Sequence, residues 1–93
     1  MNTIKTLRRA EKELNKRYGD GIGYIARRTL YYASMAIQEA KRGNIYTAES
    51  ESEKHWAALK DLETLNVVSN TEKWELQNKL SKWIYKYYTH KPF

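Results

Sequence analysis

Apolar residues recur along this chain at intervals of three and four, the period of an amphipathic α-helix, and no stretch alternates as a half-buried strand would. In the first helical stretch, about residues 3–18, Ile4, Leu7, Leu14 and Tyr18 share one stripe. Lys5, Arg8, Arg9, Lys12 and Lys16 lie off it. Asn2 or Thr3 suits the start as a cap, and Gly19 suits the left-handed conformation that ends a helix. Gly19-Asp20-Gly21-Ile22-Gly23 reads as a turn. A second helix follows to about Arg42, with Gly43 after it as the C-terminal cap. Its apolar face comprises Ile22, Ile25, Ala26, Thr29, Ala33, Ala36, Ile37 and Ala40. Leu30, Tyr31, Tyr32 and Met35 widen the apolar sector, which predicts a central helix with more than one neighbour.

Asn44-Ile45-Tyr46 reads as a link to a third helix starting near Thr47, the expected N-cap, with Ala48, Ser52, His55, Trp56, Leu59 and Leu62 facing inward. Leu65-Asn66-Val67-Val68 breaks the period. Ser69-Asn70-Thr71-Glu72 then fits a capping box, in which a serine hydroxyl and a glutamate three residues on satisfy each other's backbone amides. Leu76, Leu80, Trp83, Ile84 and Tyr87 follow at helical spacing to a stop near Tyr88. Four helices with short links predict an all-α fold, a small antiparallel four-helix bundle or helical-hairpin array. The expected organisation is one domain over residues 1–88 with a short tail at 89–93, since 93 residues support one core. Tyr32, Met35, Ala36, Gly43, Asn44, Ile45 and Ala48 resemble the turn between the two helices of a tetratricopeptide repeat. The repeat's aromatic position is Glu39 here, and its later large and small positions are Ser52 and His55. The likeness spans about one repeat, where stable arrays need several, and implies a close-packed helical hairpin.

Charge adds a direction to this scaffold. The chain carries a net +6, unevenly spread. Residues 1–28 hold a net +5, residues 29–66 a net −2, and residues 67–93 a net +3. Basic ends flanking an acidic middle suit a polyanionic partner, and equally suit attraction between the ends and the middle of the chain. There is no Cys, which removes disulfides and thiolate metal sites. No apolar run approaches the roughly 20 residues of a membrane span. The stretch MNTIKTLRRAEKEL lacks the apolar segment of a signal peptide, so the expected location is the cytoplasm.

Catalytic chemistry finds no constellation. His55 and His90 are far apart in sequence, and neither sits in a recognisable nucleophile or metal motif. Glu49 and Glu53 share a helix face and read as a solvated acidic turn. No catalytic residue, cofactor or metal is expected, and the chain reads as a binding protein.

The first expectation is an accessory protein for nucleic acid, RNA or single strands before duplex, with Lys5, Arg8, Arg9, Lys12, Lys16, Arg27, Arg28, Lys82 and Lys86 meeting phosphate. On the fourth helix Lys73, Lys79, Lys82 and Lys86 interleave with Trp74, Tyr85 and Tyr88, a pairing of cations with rings that suits single strands. The alternative is a protein-binding modulator, of the kind phages and mobile elements direct at a host factor. Its interface would be drawn from Trp74, Tyr85, Tyr88 and Tyr31, because a domain this small cannot easily bury three Trp and eight Tyr. A homodimer joined through the fourth helix is a further alternative.

Overall fold

A computed structural model describes residues 3–89, with side chains from 4 to 87. The described residues form four helices, α1 (Thr3–Tyr18), α2 (Tyr24–Arg42), α3 (Ile45–Thr64) and α4 (Asn70–Thr89), and no strand. The fold is an all-α four-helix bundle, elongated at 50 × 23 × 18 Å.

The helices begin and end where local chemistry allows. Gly19 and Gly21 take φ of +93° and +103°, a region that side chains with a Cβ rarely enter. Gly23 is demanded by space: a Cβ there would lie 2.6 Å from Glu11 Cγ and 2.8 Å from Asn15 Oδ1. Its amide donates to that same Asn15 oxygen at 2.9 Å, which pins the α1–α2 turn to α1. Gly43, at φ +86°, ends α2. The amides of Gly43 and Asn44 return to the carbonyls of Ala40 and Glu39, the paired bonds of a Schellman motif.

That motif corrects the expected start of α3. The helix begins at Ile45, not near Thr47, because the Asn44 carbonyl already accepts from the Ala48 amide at 2.9 Å. The Asn44 side chain caps no amide; its Nδ2 donates to Glu39 Oε2 at 2.7 Å. The capping box of α4 is present in both halves: Glu72 N donates to Ser69 Oγ at 3.0 Å, and Ser69 N donates to Glu72 Oε1 at 2.9 Å.

α2 is central and touches the other three helices. Small residues make this possible. Ala36 and Ala40 of α2 and Ala48 of α3 are fully enclosed, so these antiparallel helices approach closely along their seam. Leu80 and Ile84 of α4 complete that end of the core. At the other end Leu7, Ala10 and Leu14 of α1 meet Ala26, Leu59, Leu62 and Leu76. Val67 and Val68, which break the helical period between α3 and α4, are buried there as a plug. Asn66, at φ +59°, turns the chain so that both valines point inward. α1 therefore closes one end of a three-helix seam. Ile4 and Tyr18, at the ends of its predicted apolar stripe, are more than half exposed, beyond the edges of that contact.

Leu59 is enclosed among α1, α3 and α4 residues. Leu59→Ala is expected to lower unfolding free energy by about 2–5 kcal/mol. Tyr46→Ala, at a side chain 89% exposed, is expected to stay within about 0.5 kcal/mol. Urea denaturation of the two variants measures both.

Candidate nucleic-acid interface

Several of the basic residues, though solvent-facing, make contacts within the protein. Arg9 Nη2 lies 3.1 and 2.9 Å from the two oxygens of Glu72 and donates to the Val67 carbonyl at 3.1 Å, which clamps α1 to the start of α4. Partial burial opposes ionisation of Glu72, yet the Ser69 amide and the Arg9 guanidinium outweigh it and hold the carboxyl below its ordinary range. Arg27 Nε pairs with Glu11 at 2.7 Å across the α1–α2 turn. Arg17 donates to the Leu65 carbonyl at 2.9 Å. Arg28 donates to the Tyr32 hydroxyl at 2.6 Å, and its guanidinium carbon stands 5.5 Å from that ring's centroid. The carboxylates that meet Arg9, Arg17 and Arg27 come from α1 and α4, not from the acidic run Glu49, Glu51 and Glu53.

Lys5, Arg8, Lys12 and Lys16 are exposed. Their spacing of three and four residues places them in one row along α1. Lys5, Arg8, Arg9 and Lys12 line a shallow groove of about 540 Å³, with Ile4 and Glu13.

The fourth helix carries a second basic face, composed differently from the sequence expectation. Lys73 is largely withdrawn from solvent. It is buried at the α3–α4 contact, where its Nζ pairs with Glu63 at 2.8 Å and lies 4.9 Å from the Trp56 ring centroid. The Trp74 ring lies tilted against Trp56, at 53° with centroids 4.7 Å apart, and covers the Lys73 ammonium from the other side at 5.8 Å, while keeping 49% exposure. Tyr85 is 60% exposed on a different face, beside a 240 Å³ groove whose walls include Glu49 and Glu53. The Tyr88 side chain lies outside the described residues, as does His90. The ring that does stand among the lysines is Trp83, assigned to the inner stripe by its spacing. It is 42% exposed, forms one surface with Lys79, Lys82 and Lys86, and has Lys86 Nζ over the ring at 5.0 Å. The inner stripe is filled by Leu76, Leu80 and Ile84, and Lys73 takes the buried place one turn earlier.

Helical geometry sets Glu72 and Glu75 on the same face of α4 as Lys79 and Lys86. The Arg9–Glu72 clamp thus joins the α1 row to the face that carries the lysines. Glu72 is neutralised by Arg9, and Glu75 is the acidic group left on that face.

His55 is buried, and burial pushes its imidazole below the ordinary value of 6.5, opposed in part by its hydrogen bond to Gln77. Nδ1 meets Gln77 Oε1 at 2.7 Å, and Gln77 Nε2 donates to Ser52 Oγ at 3.0 Å. Among the described residues no cluster of three or more His, Cys, Asp or Glu is arranged to hold a metal. None of the helices is long and apolar enough to cross a membrane. No protein-family model, curated protein or solved structure matches this chain.

The state of His55 sets a pH dependence. The unfolded chain takes up this proton near 6.5 and the folded chain only at lower pH. Stability is therefore complete above that value and declines as pH falls toward the folded-state pKa. Melting midpoints measured from about pH 7 to about pH 5 are expected to fall. In His55→Gln that slope should flatten, whatever the variant's midpoint at neutral pH.

Proposed function

We propose that this protein binds nucleic acid, single strands or RNA before duplex, and acts by binding and not by catalysis. The observation that carries this reading is the face of α4 on which Lys79, Lys82 and Lys86 surround the half-exposed indole of Trp83. Lysines meet phosphates while a ring offers a π-face to any unstacked base, and that combination is sequence-tolerant. The α1 row of Lys5, Arg8, Lys12 and Lys16 supplies a second track of positive charge. Arg9 and Arg27 serve the fold through their carboxylates, so they contribute less to the partner than the sequence suggests. Arg28 is held by Tyr32, which fixes its direction without cancelling its charge.

A protein-binding modulator is the second reading. It is favoured by the exposed Tyr85 next to Glu49 and Glu53, an acidic aromatic groove unsuited to phosphate. Co-purification of a polypeptide that survives nuclease treatment would support it.

Neutralising several phosphates makes affinity fall steeply with salt. Fluorescence anisotropy with a labelled single-stranded oligonucleotide should show at least about a tenfold loss between about 50 and 200 mM salt. The double variant Arg8→Glu, Lys12→Glu should weaken binding for every sequence alike and lower the salt slope. Binding indifferent to salt, or none at low salt, rejects the reading.

A further inference from the structure

Between α2 and α4 runs a groove of about 280 Å³, at the small end of ligand-site volumes and suited to one ring system. Leu30, Ala33 and Ile37 form the α2 wall, and Leu76, Leu80 and the Trp83 indole form the α4 wall. It adjoins the basic face directly, because Trp83 and Lys79 belong to both. His55 of α3 also lines it, although that side chain is only 1% exposed.

The hydrogen-bond chain fixes what His55 presents. Gln77 donates through its nitrogen to Ser52, so its oxygen faces the imidazole and Nδ1 carries the proton. Nε2 is then an acceptor, and it makes no hydrogen bond of its own. No enclosed side-chain nitrogen or oxygen among the described residues lacks a partner. Nε2 therefore keeps its small share of the surface, and the groove is the opening that His55 lines. The result is a mostly apolar slot with an aromatic wall, a polar acceptor in its floor, Lys79 on its α4 rim, and Lys82 and Lys86 on the surface that adjoins it through Trp83.

We propose that this groove seats one unpaired nucleobase of a single-stranded nucleic acid, stacked on Trp83, with a base N–H donated to His55 Nε2 and the flanking phosphates on Lys79, Lys82 and Lys86. This rests on the nucleic-acid reading above and adds the subsite that would grip a base. The charge beside the slot selects the occupant: an apolar side chain of a partner protein would fill the slot but bring no negative charge to the basic face that adjoins it. A base brings its own phosphates to that face.

The test uses the full chain with labelled uridine and deoxythymidine decamers and a duplex of the same length, at low salt. Trp83→Ala and Ala33→Leu, the second narrowing the slot from the α2 side, should each weaken single-strand binding about tenfold, the size of one lost base–aromatic stack, and leave the salt slope unchanged. Duplex binding should be nearly the same in all proteins. The ranking of the two decamers tells whether an RNA or a DNA strand supplies the base. Trp83→Phe keeps a ring and should lose less affinity. Its remaining tryptophans, Trp56 and Trp74, lie away from the groove, so the emission quenching seen with the parent protein should vanish. If the decamers bind but Trp83→Ala and Ala33→Leu bind like the parent, or Trp83→Phe is quenched equally, the groove proposal is overturned while the nucleic-acid reading stands. If no strand binds at low salt, both fall.

Discussion

The close approach of α2 and α3 governs the rest of this molecule. Two helices come together tightly only where their facing residues are small, and Ala36, Ala40 and Ala48 are fully enclosed along that seam. Tight packing gains dispersion contacts along that part of the pair. The same choice leaves no volume in the seam for large rings. Tyr and Trp side chains are displaced to the margins, where α1 and α4 lie against the central pair. The half-exposed Trp74 and Trp83, and the exposed Tyr31 and Tyr85, follow from that displacement.

What those margins become depends on the charges beside them. At the α3–α4 margin, Trp56 and Trp74 close over the Lys73–Glu63 pair. Burying a charge is costly unless it is matched, and here a carboxylate and two ring faces match it. At the α2–α4 margin the apolar slot stays open, and its α4 rim is lysine. On the remaining side of α4, Tyr85 stands beside Glu49 and Glu53. One helix thus presents three chemically distinct faces, and among the described residues the face bearing Trp83 is the one that sets an aromatic among solvent-facing lysines.

Arginine and lysine divide the work on α1. Arg9 and Arg17 reach backbone carbonyls at the α3–α4 connection, a task suited to a planar fork with several donors. The lysines of the same helix, with Arg8, extend into solvent. A count of positive charge overstates the surface available to a polyanion, because part of that charge holds the bundle together.

Periodicity and punctuation in the sequence sufficed for the helices, the glycine turns, the capping box before α4 and the central place of α2, because each follows from local backbone chemistry or a repeating apolar face. The start of α3 escaped this reading. Glu39 captures the Asn44 side chain across the turn, and such a contact has no signature in residue spacing. The exchange of roles between Lys73 and Trp83 escaped it too. Spacing placed the lysine outside and the tryptophan inside. Which residue a helix buries depends on its rotation against its neighbours, and that is settled by the packing of Leu76, Leu80 and Ile84 and by the presence of Glu63 to meet an ammonium. The basic and aromatic residue types were legible in the sequence alone; which of them face outward together was decided only when the helices packed.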